Sequence, residues 1–135
     1  MGIDGRQVVM DMRRVQVQQD DGVFVNKKYK RTISEKEDYQ YRNYKHITEK
    51  SILFPGCNFP SVYPKTTKKL AELLQEAAGI GIIYECCGKP IADIGMKEKE
   101  GKIVQGIEER LLTANVTEVI TLCPNCYEYL KKIFL

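Results

Sequence analysis

The sequence predicts an α/β domain: a small open parallel sheet with helices on both faces, preceded by an N-terminal extension of α+β or irregular structure. Three observations lead there. From residue 51 onward, short apolar runs alternate with helix-spaced stretches. Each apolar run ends at a turn or a polar break. The five cysteines of the chain, Cys57, Cys86, Cys87, Cys123 and Cys126, all fall just after those runs.

The extension, residues 1–50, holds a β-prone stretch from Val8 to Val17, broken by Asp11, Arg13 and Arg14. Asp20-Asp21-Gly22 is a turn signal with Val23-Phe24-Val25 behind it, so residues 14–18 and 23–27 are expected to form a hairpin. Ser34-Glu35-Lys36-Glu37 has the form of a capping box, Ser34 as N-cap and Glu37 at the third position. A polar helix to about His46 is expected to follow, with Tyr41 and Tyr44 on one face. No chemistry is read from these residues. His46, the single histidine, has no partner at ligand spacing and reads as an ordinary surface residue.

Residues 51–135 read as β-α-β-α-β-α. Ser51-Ile52-Leu53-Phe54, closed by Pro55-Gly56, suits a buried parallel strand. Ser61 is expected to cap the next helix, with Pro64 tolerated in its first turn. Leu70, Leu73, Leu74 and Ala77 give that helix one apolar stripe, expected to be buried, and Gly79 closes it. Ile80-Gly81-Ile82-Ile83-Tyr84 is the second strand. A helix over residues 96–114 follows, with Ile103, Ile107 and Leu111 one turn apart and Asn115 as its stop. Glu118-Val119-Ile120-Thr121-Leu122 is the third strand. Pro124 opens a last helix at a favoured position, with Tyr127, Leu130 and Phe134 as its apolar face.

Parallel strands joined by helical crossovers place all their C-terminal ends along one edge, where open α/β sheets bind ligands. Cys86 and Cys123 lie 29 and 66 positions beyond Cys57, yet this topology brings them together. The expected strand order is 2-1-3. Neighbouring strands stand about 4.8 Å apart, so a central first strand keeps Cys57 one spacing from both other ends and the five sulfurs within about 10 Å.

Composition narrows the classes. With 43% hydrophobic and 29% charged residues the chain is that of a globular protein that can bury a core. Net charge is only +3; residues 1–50 hold 11 basic against 8 acidic residues and the remainder 10 against 10, short of a nucleic-acid footprint. No run approaches the roughly 20 apolar residues of a membrane span, and no signal-peptide core opens the chain. The expected location is the cytoplasm, where thiols stay reduced, and an odd count of cysteines fits a disulfide framework poorly.

Thiolates gathered at one edge suit soft metals and iron–sulfur clusters. A mononuclear zinc site takes four ligands, which leaves one cysteine over, whereas a cluster of several irons accommodates the vicinal Cys86-Cys87 pair. The Cys123-Pro124-Asn125-Cys126 pair spans a helix start, where free N–H groups favour a thiolate. Tyr84, Glu85 and Lys89 are candidates to tune such a site. An iron–sulfur group leads zinc, ahead of a metal-free dithiol redox site and of cysteines that are simply buried.

The order Cys57, Cys86-Cys87-Gly88, Cys123-Pro124-Asn125-Cys126 resembles the cysteine-rich CCG domain, known from the catalytic subunit of heterodisulfide reductase and from iron–sulfur subunits of glycolate oxidase and related enzymes. Gly56, Tyr63-Pro64, Pro90 and Pro124 strengthen the likeness, which covers residues 51–135 only. The resemblance implies that Cys57, Cys86, Cys87, Cys123 and Cys126 ligate a non-cubane [4Fe–4S]-type cluster used in electron transfer or disulfide reduction. It also implies partners: redox subunits with ferredoxin-like clusters or flavin, and a second CCG domain. Relatives usually carry two motif copies and this chain has one, so a fragment, a split subunit or half of an assembly is expected. In some relatives the copy binds zinc or is structural, and a non-catalytic zinc-binding interaction module is the alternative.

Overall fold

The computed structural model describes residues 2–19 and 27–134. In chain order the elements are α1 (Gly5–Gln19), α2 (Lys27–Glu37), β1 (Asn43–His46), β2 (Lys50–Phe54), α3 (Asn58–Val62), α4 (Pro64–Ala78), β3 (Gly81–Tyr84), α5 (Lys89–Ile94), α6 (Lys97–Thr113), β4 (Val116–Thr121) and α7 (Pro124–Phe134).

The fold is α/β, and its sheet, with parallel and antiparallel pairs, has the order β1-β3-β2-β4. The three strands read from the sequence are β2, β3 and β4. Strand β2 runs parallel to β3 on one side, Leu53 opposite Ile82, and to β4 on the other, Leu53 opposite Ile120. The wholly parallel sheet expected from the sequence is corrected by β1, which pairs antiparallel with β3, Asn43 opposite Tyr84. This strand comes from the extension, so the sheet draws on both sides of residue 50. The order has a simple cause: β2 is the most apolar strand, and its Ile52, Leu53 and Phe54 are fully buried. A strand buried on both faces belongs in the middle.

Side chains alternate across a strand. Ile52 and Phe54 join Ile83 in the main core, covered by Ile91 of α5, by Ile103, Ile107 and Leu111 of α6, and by Leu130 of α7. Helix α4 rests on β3, on a thinner layer. Here the expected buried stripe is corrected. Leu73 is 53% exposed, Leu70 and Leu74 are half-buried, and Ala77 is exposed. The four-residue β3 offers too narrow an apolar strip to cover four positions of a helix. The C-terminal end of α4 matches expectation, whereas its N-cap is Tyr63: Ser61, expected to cap it, lies within α3 and gives its hydroxyl proton to the Cys57 carbonyl. Pro64 stands at its first position, and Gly79 at φ +65 returns its N–H to the Gln75 carbonyl at 2.9 Å. Of the expected face of α7, Leu130 is buried, while Tyr127 is exposed beneath the Lys131 ammonium.

The extension differs most from its reading. Residues 14–18 are helical, part of α1, and not one arm of a hairpin; residues 23–26 of the other arm lie outside the described residues. Val8, Met12 and Val15 recur at helical spacing, and this period prevails over the β propensity of the individual valines. Ser34 sits inside α2, its carbonyl accepting the Asp38 N–H at 2.9 Å, so it is not an N-cap. The chain then turns into β1 where a helix to His46 was expected. Tyr44 faces the core from β1, with the Arg110 guanidinium 4.2 Å above its ring. Among the described residues no helix is long and apolar enough to cross a membrane.

Candidate metal centre

The C-terminal ends of β2, β3 and β4 share one edge, and each leads into a cysteine. Beyond β2 the chain turns at Pro55-Gly56, with Gly56 at φ +79. A Cβ built on Gly56 would stand 2.9 Å from the Cys126 sulfur and 3.6 Å from the Cys123 Cβ. That approach is closer than side chains tolerate, so only glycine lets the β2 turn lie against the helix start after β4. Cys57 then flanks α3, its carbonyl accepting the Ser61 hydroxyl at 2.7 Å.

Beyond β3 come Glu85, Cys86, Cys87 and Gly88. Gly88 adopts φ +89 and leads into α5, packed against Ile103. The tight turn directs the Gly88 N–H at the Cys86 sulfur and the Lys89 N–H at the Cys87 sulfur. Beyond β4, the Cys123 carbonyl accepts the Tyr127 N–H at 3.0 Å and so begins α7, with Cys126 in its first turn.

All five thiols are free; Cys86, Cys87 and Cys126 are buried, while Cys57 and Cys123 are half-exposed. The Cys126 thiol donates to the Cys87 sulfur at 3.4 Å. The Cys87 thiol is also influenced by Cys86, and that of Cys86 by Cys57, so these cysteines stand in series at the centre. Cys123 meets this group at Gly56. As they stand, among the described residues, no three His, Cys, Asp or Glu side chains form a group that could hold a metal ion. Neutral thiols pair S–H to S, whereas thiolates on a metal aim their lone pairs at a common point.

Crowding governs their titration. Cys57 is pushed well up, first because its thiol is hydrogen-bonded to Cys86 and then by burial. At Cys86 the contact with Cys57 favours the thiolate, but the contact with Cys87 and burial outweigh it, and the group rises to about 11. Cys87 is pushed up to about 12, chiefly by its contact with Cys126. Cys57, Cys86 and Cys87 do not ionise together without a cation among them.

A polar wall surrounds this cluster. The Glu85 carboxylate is 3% exposed and accepts from the Cys86 N–H at 2.9 Å, the Arg42 guanidinium at 2.7 Å and the Tyr44 hydroxyl at 3.0 Å. The Lys36 ammonium donates to the Cys57 sulfur at 3.3 Å. Tyr39 is 6% exposed, and its hydroxyl has no hydrogen-bond partner among the described residues. Ser61, whose own proton goes to the Cys57 carbonyl, lies near that hydroxyl without a hydrogen bond to it. Burial, then the nearby Cys57 and Cys86, raise the Tyr39 phenol. The residues present fit a thiolate-bound metal group on three counts. The donors are soft, the Gly56 cradle leaves room for them, and the Tyr39 hydroxyl, within electrostatic reach of Cys57 and Cys86, is buried with no partner among the described residues.

Of the residues read as tuning candidates, Glu85 holds the Cys86 backbone, and Lys89 contributes its N–H while its ammonium pairs with Asp93 at 2.6 Å. Tyr84 is raised by burial and by Glu72 of α4, away from the cysteines. Lys36, Tyr39, Arg42 and Tyr44 were not legible as site residues. Their contacts cross 21 to 43 positions of chain, and no spacing motif announces them. An apolar groove elsewhere, between α6, β4 and α7 and lined by Phe54, Leu111, Val119 and Phe134, holds none of the cysteines.

Compared with known families, residues 51–131 match the model of a cysteine-rich domain, CCG. No curated protein and no solved structure matches the chain.

Proposed function

The chain belongs to the cysteine-rich CCG domain family, and from that premise we propose that Cys57, Cys86, Cys87, Cys123 and Cys126 hold an iron–sulfur group of the [4Fe–4S] type. In this reading the protein is a subunit of a heterodisulfide reductase-like oxidoreductase, passing electrons or reducing a disulfide. The observation that carries the reading is the meeting of three strand ends: at Gly56 after β2 the missing side chain leaves the space that Cys126 and Cys123 fill, and Cys126 stands 3.4 Å from Cys87 after β3. A bound iron–sulfur group would supply one-electron chemistry. The chain's own residues do the rest. The Gly88 and Lys89 N–H groups face the sulfurs of Cys86 and Cys87, and Glu85 fixes the Cys86 backbone. Ile91, Ile103 and Leu130 keep water from the inner side. Cys57 and Cys123, half-exposed, form the open side, toward which a redox partner with ferredoxin-like clusters or flavin, or a second CCG domain, would dock.

Protein purified without oxygen is expected to contain iron and acid-labile sulfide, and each of the five Cys→Ser changes is expected to lower both. A second reading, a zinc-binding structural module, is favoured by one observation: four cysteines, Cys57, Cys86, Cys87 and Cys126, stand in series, Cys87 and Cys126 3.4 Å apart. Four is the number a structural zinc takes. The two readings part at Cys123. If Cys123→Ser retains full metal content, and that metal is zinc without iron, the iron–sulfur assignment fails.

A further inference from the structure

The family match begins at residue 51, yet one wall of the centre comes from residues before it. Helix α2 ends beside Cys57 and is tied there by contacts of different kinds. Ile33 is buried. Glu37 receives the Lys99 ammonium at 2.7 Å and so binds the helix end to α6. Past the helix, Arg42 reaches the buried Glu85. Held this way, Lys36 in the last turn of α2 and Tyr39 just beyond it approach the centre on its open side. Lys36 is half-buried and reaches the Cys57 sulfur, and Tyr39 keeps a buried hydroxyl with no partner among the described residues.

A buried hydroxyl without a partner is costly, so its persistence within reach of the Cys57 charge asks for an acceptor. Neutral thiols are weak acceptors, while a thiolate or a cluster sulfide is a strong one. An ammonium at neutral pH beside a sulfur likewise favours negative charge there. We propose that Lys36 and Tyr39 are positioning residues of the cysteine centre, an ammonium and a phenolic O–H that stabilise the reduced, more negative form of the bound group at its Cys57 side. The inference rests on the iron–sulfur reading. Reduction adds one electron, makes and breaks no bond, and leaves Lys36 protonated, so the effect is electrostatic.

The test is a mediated redox titration with dithionite on the full chain, loaded without oxygen, with iron and sulfide counted in each sample. Lys36→Met is expected to keep its iron and to lower the reduction potential. A tenfold change in the reduction equilibrium is about 59 mV for one electron. Tyr39→Phe is expected to shift it less, in the same direction, since a neutral donor is the weaker one. Lys36→Arg keeps the charge and is expected to retain the wild-type potential. Lys30→Met, on the exposed part of the same helix, removes an equal charge at a distance and is expected to leave it unchanged. A loaded protein whose potential ignores Lys36→Met overturns this inference alone, as does an equal shift in Lys30→Met or Lys36→Arg. A wild-type protein that holds no iron overturns the iron–sulfur reading, and this inference with it.

Discussion

Cys87 and Cys126 meet 3.4 Å apart inside the apolar core, whereas Cys57 meets a lysine at 3.3 Å on the open side. The inner wall is built from α5, α6 and α7, within the family match save for the end of α7, and is held by packing of Ile91, Ile103, Ile107 and Leu130. The outer wall is built from α2 and β1, before that match, and is held by Lys99–Glu37, Arg42–Glu85 and Lys36–Cys57. Close packing fixes where sulfur sits, and polar ties fix what charge it tolerates. A fold that divides these tasks between two segments lets the outer segment change without unmaking the site.

The strongest way to break this division is through the inner wall. Ile107 is 1% exposed at the centre of α6. Ile107→Ala is expected to cost about 2–5 kcal/mol, read as a lower denaturant midpoint with an unchanged slope. Gly56→Ala asks for less volume but meets two penalties. Its φ of +79 is costly for any side chain, by about 1–2 kcal/mol, and its Cβ would press on the Cys126 sulfur. That variant is expected to lose metal content as well as stability. If it keeps full metal content, the Gly56 cradle is not what aligns the cysteines.

The outer wall is expected to yield less stability. Arg42→Met leaves the buried Glu85 with Tyr44 and the Cys86 N–H as its donors. Arg42 is itself 34% exposed at the side chain, so water takes up part of the loss, and about 1–3 kcal/mol is expected. Chemical denaturation of the variant beside Ile107→Ala checks the ranking. A larger loss for Arg42→Met would show that the polar wall carries the fold.

The same division explains what could be read from the sequence. Most of the inner wall was legible because each signal was local and repeated; α5, which brings Ile91 to the core, was not read as a helix. Apolar runs mark β2, β3 and β4, the spacing of Ile103, Ile107 and Leu111 marks α6, and a cysteine follows each strand. The central position of β2 followed from reach alone. The outer wall gave no such signal. Asn43-Tyr44-Lys45-His46 is polar and becomes a strand only because β3 offers an unpaired edge. Lys36 sits in a run of charges that reads as a solvated face, and only the fold shows that it ends beside Cys57. The α4 stripe failed for the opposite reason. Its period was right, but a period says that a face is apolar and not that another surface is there to cover it.

Titration separates the two walls next. In the metal-free protein the fold favours the neutral thiols of Cys86 and Cys87, raising them from an ordinary 9.0 to about 11 and about 12. The folded chain thus binds these protons more tightly than the unfolded chain does. Their stabilising effect is complete below pH 9 and is lost as pH climbs through the window to about 12. The melting temperature of metal-free protein is expected to fall across that window. With metal bound the thiolates are already deprotonated, so the loaded protein is expected to show a flatter profile. An identical decline in both forms would assign the alkaline loss to other groups.

The smallest expected effect tests what holds α2 in place. Arg31 and Glu35 pair at 2.7 Å on that helix, with side chains 82% and 53% exposed. Lys99 and Glu37 pair at the same distance but join α2 to α6, with side chains 34% and 37% exposed. Distance alone would rank the two pairs equal. Water and counterions screen the first pair, and both its partners ride on one helix, so it fixes no tertiary contact. Arg31→Ala is expected to change stability by about 0.3–0.5 kcal/mol and to leave metal content untouched. Glu37→Gln removes an anchor of the helix that carries Lys36, so its effect is expected at Cys57, as faster labelling of that thiol by a bulky reagent in metal-free protein. Equal labelling of Cys57 in the two variants would mean that α2 stays over the centre without its ion pair, held by Ile33, Tyr39 and the Arg42–Glu85 contact.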